Sequence, residues 1–415
     1  MADRTEKPYA LAFLLLIVSI DAMGIGMYLP IIPTFIARIT GATATHAAVI
    51  GGQLTVLYSV ANFLAAPVFG ALSDSIGRRP VLIGSVAAFG VAYFIAAVSP
   101  SVAWLYLAMS LAGTFSATAG TANAYISDSS DGSDRLRRLG LLNGAFGIGL
   151  VVGPAVGSSL ANVGFRIPFL FAAGLAGANA LYGYFFLPES LRLEDRKAFV
   201  FRQANILKSV AEMRTHEPIL TFLGANLLVR LAIAALPATW AYYVSEEFGW
   251  SIQMIGLSFT AYGVMVVIAQ LVLLPVLAKR LRDPAVLSLG IGLTVLSNLG
   301  LALAPNNSVL FLSLSLAALG VIVTPVFAAL VSKCVPGSTQ GQAQALLVCT
   351  NTAATVLASL LMTRLFAAFA SQRAALHLPS APFLAANLLL LIAWLMARTP
   401  LRILPTVLAQ RRLPT

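Results

Sequence analysis

Twelve apolar segments, each long enough to cross about 30 Å of hydrocarbon, follow one another along this sequence and leave it one environment in which to fold. They are read at residues 10–37, 47–71, 80–98, 102–127, 138–161 and 166–187, then 218–244, 251–278, 284–304, 307–332, 341–367 and 379–397. Hydrocarbon offers the backbone no hydrogen bonds, so segments of this length are expected to be helices. Composition agrees. Only 10% of the residues are charged, where soluble domains carry about 25%. A net charge of +11 would suit nucleic acid if it were gathered on a polar face, but here the lysines and arginines sit between apolar runs. The expected partner is therefore the lipid bilayer and not nucleic acid, and the expected fold is an all-α membrane protein with twelve transmembrane helices.

Charge placement gives the orientation. Arg4 and Lys7, Arg78 and Arg79, Arg135, Arg137 and Arg138 all precede odd-numbered spans, as do Lys279, Arg280 and Arg282, and Lys333; Arg398 to Arg412 form the tail. The opposite loops hold only Arg38, Arg166 and Arg373. The positive-inside rule then puts both termini in the cytoplasm. The first apolar run looks like a secretory leader, yet it continues through Asp21 to Ile36 without an A-x-A cleavage pattern, so it reads as a retained span. The longest break separates six spans from six, predicting an N-terminal bundle (1–187), a cytoplasmic linker (188–217) and a C-terminal bundle (218–415). Within the linker, Ile206, Val210 and Met213 recur at helical spacing, which suits a short helix on the membrane surface; an irregular charged linker is the alternative.

Polar residues inside the spans are few. Asp21 is the only acid well inside one, and a charge there costs roughly 2.5–3.5 kcal/mol on insertion scales, so it needs a partner, water or a proton. Arg230 is the only base near mid-span and lies about as deep in span seven as Asp21 does in span one. Opposite charges at equal depth suggest a pair; a static bridge, or for Arg230 a contact with an anionic substrate, are the other readings. A carboxyl whose surroundings change between two access states can load a proton on one side of the membrane and release it on the other. Tyr28, Phe35, Trp240 and Tyr243 are expected as anchors at the outer interface. Cys334 and Cys349 show neither disulfide nor metal spacing, and His46, His216 and His377 all fall in predicted loops. No phosphate loop, metal site or nucleophile–histidine arrangement is present, so neither catalytic residues nor a cofactor is expected.

Two short motifs carry more information. After span two, Gly70, Leu72, Asp74, Gly77, Arg78 and Arg79 pack an acid, a flexible glycine and two arginines into one turn, where the arginines can bridge to Asp74 or Asp128. This G-x-L-x-D-x-x-G-R-R pattern resembles the signature of the major facilitator superfamily, in which it is a cytoplasmic latch and not a substrate site. The loop after span eight, Leu277 to Leu287, is a degraded copy, consistent with two pseudo-symmetric six-helix bundles. In span five, Gly149, Gly153 and Gly157 fall on one helical face and Pro154 removes a hydrogen bond. The arrangement resembles the superfamily's G-x-x-x-G-P-x-x-G antiporter signature, which implies export.

The resemblance extends to the tetracycline/proton antiporters of that superfamily. It is carried by Asp21 to Gly26 with Pro30 and Pro33, by Ser73 to Leu82, and by Phe146, Gly147, Gly149 and Leu150. Pro237 to Thr239, Phe248 to Trp250 and the stretch from Gln340 to Val348 continue it through the second half. It implies proton-driven efflux of a drug-like or amphipathic small molecule, including tetracycline-like compounds, by a monomer in the bacterial inner membrane, with the proton gradient as energy source. On the superfamily's pattern of cavity-lining spans, Asn62, Asn123, Gln270 and Asn351 are the expected cavity residues. Where the subgroup has further membrane carboxylates and a histidine, this chain has Ala92, Thr294 and Val266, and where superfamily antiporters commonly have a span-four arginine it has Met109, so little of the subgroup's coupling and magnesium–tetracycline chemistry carries over. A dedicated exporter of a metabolite, sugar or siderophore, and a non-transporting receptor or scaffold, are the alternatives.

Overall fold

The computed structural model describes residues 8–116, 118–130, 132–198, 217–335, 339–371, 374 and 376–410. The linker helix expected around Ile206, Val210 and Met213 lies outside these residues. Among the described residues, twelve helices are long and apolar enough to cross a membrane: α1 (Ala10–Thr40), α2 (Ala44–Ile76), α3 (Arg78–Val98), α4 (Val102–Ser129), α5 (Arg137–Ala161), α6 (Ile167–Phe186), α7 (Ile219–Phe248), α8 (Ile252–Arg280), α9 (Asp283–Ala302), α10 (Asn307–Cys334), α11 (Gln340–Ala370) and α12 (Ala381–Arg398). Each coincides with one of the twelve apolar segments. Several run past the hydrocarbon length because amphipathic residues continue the helix: α1 reaches Arg38, whose guanidinium lies 3.6 Å over the Phe165 ring.

Three of these helices are interrupted. The fourth divides into Val102–Phe115 and Thr118–Ser129, with the Ser116 hydroxyl turned back onto the Gly113 carbonyl at 2.9 Å. The eighth widens to a π turn over Ala269–Leu273, just before Pro275. Proline has no N–H for the preceding turn and crowds its carbonyl, and a wider turn relieves both. The tenth breaks between Gly320 and Val323, ahead of Pro325, for the same reason.

Contacts divide the chain into two compact units. The first takes Met1–Thr43, Gln53–Ala204 and Trp250–Thr260. Its core joins Phe13, Leu14 and Ile17 to Leu82, Val86, Tyr125 and Leu142, and α1 packs chiefly against α5. The second takes Ala44–Gly52, Asn205–Gly249 and Ala261–Thr415. There Phe222, Val229 and Ala232 of α7 meet Leu346 of α11 and Leu390 of α12.

These units differ from the two halves read at the linker, because the first turns of α2 and of α8 change sides. Small residues explain the exchange. Gly52 abuts the Ser359 carbonyl and Thr363 of α11, and Gly256 leaves so little room that a Cβ would lie 2.6 Å from the Pro154 carbonyl. Thr260 Oγ1 also donates to the Val151 carbonyl at 3.0 Å. The interface anchors need correction too: Phe35, Trp240 and Tyr243 are buried. Phe35 packs on Phe169, and Tyr243 packs on Phe383 while donating to the Leu301 carbonyl at 2.8 Å. Burying these rings adds more than an interfacial position would.

Candidate functional site

Asp21 sits eleven residues into α1 and is buried. Its Oδ2 accepts a hydrogen bond from the hydroxyl of buried Thr118, at the start of the second segment of α4. Tyr58 of α2 and Tyr93 of α3 lie close enough to feel the Asp21 charge, and Tyr28 is within the same range of Tyr93. The Tyr93 ring fits only because Gly24, one turn from Asp21, has no Cβ; its hydroxyl fills that space. Beside this cluster Ser116 bonds Tyr58 and accepts from Asn62 Nδ2, so the break in α4 supplies the hydroxyls that face the acid and the amide. Asp21 takes part in no ion pair among the described residues.

The small-residue stripe of α5 holds α1 in place. A Cβ on Gly149 would strike the Ser19 carbonyl, one on Gly153 would lie 2.5 Å from the Met23 carbonyl, and one on Gly157 would lie 2.7 Å from the Met27 Cα. Pro154 completes the seam against Gly26, and Ser19 Oγ donates to the Ala145 carbonyl at 3.0 Å. Ser19 and Met23 flank Asp21, so the antiporter-like motif sets the position of the acid.

The latch motif is a connected cluster at the α2–α3 turn. Arg78 is buried; its Nε donates to Asp128 Oδ2 at 2.9 Å and its Nη1 lies 2.5 Å from both Asp74 Oδ1 and Ser73 Oγ. The Arg79 side chain reaches no acid among the described residues and donates to the Tyr184 carbonyl at 2.5 Å. Glu189, just beyond α6, completes the cluster. Its carboxylate accepts from the backbone N–H of Arg78 at 2.8 Å and of Arg79 at 3.2 Å, capping the N-terminus of α3. Gly77 makes room for it: φ is +110°, and a Cβ there would collide with Glu189 Oε2. In the sequence Glu189 is only one charge within the 188–217 linker. Its position directly after Pro188, at the end of a span, was the available signal.

In the second unit Arg230 lies eleven residues into α7 and is partly buried, with Nε enclosed and lacking an acceptor among the described residues. One turn earlier, Asn226 Nδ2 donates to Asn351 Oδ1 at 3.1 Å and to Thr350 Oγ1 at 3.4 Å. Asn351 is thus engaged between α7 and α11. Gln270 is exposed on the π turn, and Asn123 is exposed on α4. The four expected cavity residues fall in separate places: Asn62 beside the Asp21 cluster, Asn351 in the Asn226 network, and the other two outside both.

A family model described as the Major Facilitator Superfamily matches residues 14–237 and 222–412. The chain belongs to this superfamily. It is 34% identical over 364 residues to the class C tetracycline resistance protein of Escherichia coli, covering 87% of this chain and 91% of that one. It is 32% identical to the class G protein of Vibrio anguillarum, over 86% and 90%. Multidrug resistance protein 2 of Bacillus subtilis is similar at 25% identity over 64% and 66%. The crystal structure of the nucleoside transporter NupG shares the fold, with a TM-score of 0.76, 14% identity and coverage of 94% and 98%. The chain is a multi-pass membrane transporter and not an enzyme.

Superfamily members repeat one bundle, and the latch shows the repeat. Arg78, at the start of α3, pairs with Asp128 near the end of α4; Asp283, at the start of α9, pairs with Lys333 near the end of α10. Both pairs span 50 residues. The second is the first with its charges exchanged, so the degraded motif after α8 keeps the bond although it loses the sequence.

Proposed function

We propose that this transporter is a proton-driven exporter of drug-like or amphipathic small molecules, tetracycline-like compounds among those to be tested. It works as a monomer by alternating access in a bacterial inner membrane, with both termini in the cytoplasm. The observation that carries the reading is Asp21, a mid-span carboxyl bonded by Thr118, with Tyr58 and Tyr93 near enough to feel its charge and no fixed countercharge among the described residues. Such a group can lose its charge only by taking a proton, which makes it a proton carrier. The antiporter-like seam with α5 fixes that carrier, and the latch governs the conformational step. The names of the tetracycline and multidrug resistance relatives support an outward drug flux.

The test is uptake by inside-out vesicles, in which an exporter accumulates its substrate. Wild type should concentrate at least one tetracycline or hydrophobic dye when an inward-acid gradient is imposed, and lose it when the gradient is collapsed. Asp21→Asn should bind the same compound and fail to concentrate it. Undiminished uptake by Asp21→Asn would remove the proton role from this residue.

A further inference from the structure

Arg230 has a charge that its own unit does not answer among the described residues. The described acids of the second unit are Glu217, Glu246, Glu247 and Asp283. The first three lie near the ends of α7, 13 or more residues from Arg230, or about 20 Å along the helix. Glu247 is 3.8 Å from His377, and Asp283 is paired with Lys333. Asp21, the other charge at mid-span, accepts from Thr118. A guanidinium does not shed its proton, so an unanswered one inside a span demands an acceptor. The face of α7 beside it is already ordered, because Asn226 is tied to Asn351 and Thr350 and cannot turn to serve.

We propose that Arg230 recognises an oxyanion on the transported molecule, which makes the cargo an amphipathic carboxylate, sulfonate or phosphate ester. The assignment rests on the transporter reading and narrows its substrate class. A guanidinium fork matches two oxygens of such a group, and a charged head on an apolar body suits a transporter whose relatives are named for drug resistance. Asn226 serves as a positioning residue, holding the α7–α11 contact so that the fork keeps its direction.

The experiment is equilibrium binding to purified full-length protein in lipid nanodiscs, using four probes on one scaffold: 2-naphthoate, naphthalene-2-sulfonate, methyl 2-naphthoate and 2-naphthylmethylammonium. The two anions should bind roughly tenfold to a hundredfold more tightly than the ester, the range expected of a charge-assisted fork. Arg230→Gln should erase that ratio, and Arg230→Lys should keep part of it. The ratio in wild type stands without any variant, so a misfolded Arg230→Gln does not rescue the idea. Equal binding of ester and anions, preference for the ammonium, or no binding of any probe would overturn it. An intact preference in Arg230→Gln would do the same. The exporter reading fails separately, if inside-out vesicles concentrate nothing on the tetracycline and dye panel.

Discussion

Asp21 owes its setting to residues that share no local pattern with it. Thr118 is 97 positions away, and Tyr58 and Tyr93 come from two other helices. The acid itself was legible in the sequence because a charge in an apolar run is conspicuous. Its cage was not, since a threonine or tyrosine in a span is unremarkable until packing brings it to the acid. The Thr118 hydroxyl donates to Asp21, and a hydrogen bond to a charged group is worth about 1.5–3 kcal/mol. Thr118→Val should therefore cut gradient-driven uptake by roughly tenfold or more, whereas Thr118→Ser should keep most of it. Initial rates in inside-out vesicles, compared at equal protein level, decide the matter; equal rates for the valine and serine variants would show that the hydroxyl is idle.

At the scale of one element, α5 shows what a motif reveals and where it stops. The helix carries Gly140, Gly144, Gly147, Gly149, Gly153 and Gly157, all equally permissive as residue types. Only the last three press on α1; a Cβ at Gly140, Gly144 or Gly147 would meet nothing within 4 Å. The i, i+4, i+8 spacing marks the three glycines that meet α1, but nothing in it names the helix they meet. Breaks in α4, α8 and α10 were missed because they arise from turn chemistry within otherwise continuous apolar runs. Gly153→Val should force α5 from α1 against the Met23 carbonyl, an overpacking that costs about 1–3 kcal/mol or more. Gly147→Val, on the same helix, should fold and transport like wild type. Thermal stability in detergent, read beside uptake, separates the two; similar losses for both would mean that α5 is sensitive as a whole and the seam is not special.

For the molecule as a whole, twelve spans were readable because bilayer thickness imposes a length on every one of them. The regrouping of the first turns of α2 and α8 was hidden, since it depends on which glycines and serines meet across helices. The repeated tie between helix ends was half visible. Its second copy has its charges exchanged, so a motif search sees decay where the geometry keeps a bond. Asp283 and Lys333 are both substantially exposed, and such a pair is worth about 0–1 kcal/mol. Exchanging them, Asp283→Lys with Lys333→Asp, should restore whatever either single reversal removes from transport. If the double variant is no better than the worse single one, the tie has no function.

Glu189 sharpens the same point on the first unit, where the sequence points to Asp74, Arg78 and Asp128 but not to the carboxylate that caps α3. Its carboxylate caps α3 through the Arg78 and Arg79 amides and lies 3.9 Å from Arg196, joining the end of α6 to the α2–α3 turn. Removing such a cap typically costs about 0.5–2 kcal/mol. On the proposed reading of the turn as a latch, that loss falls on a conformational element and not on a binding surface. Glu189→Ala should therefore slow turnover several-fold with little change in substrate affinity. Arg78→Gln should behave the same way, because both release the start of α3. Since the two act on one cluster, combining them should cost less than the sum of the separate losses. Glu189→Gln, which retains an acceptor but not the charge, should fall between wild type and Glu189→Ala. Maximal rate and half-saturation measured for each variant give the decision: a Glu189→Ala protein that turns over normally but binds substrate weakly would place this carboxylate in recognition and not in the latch.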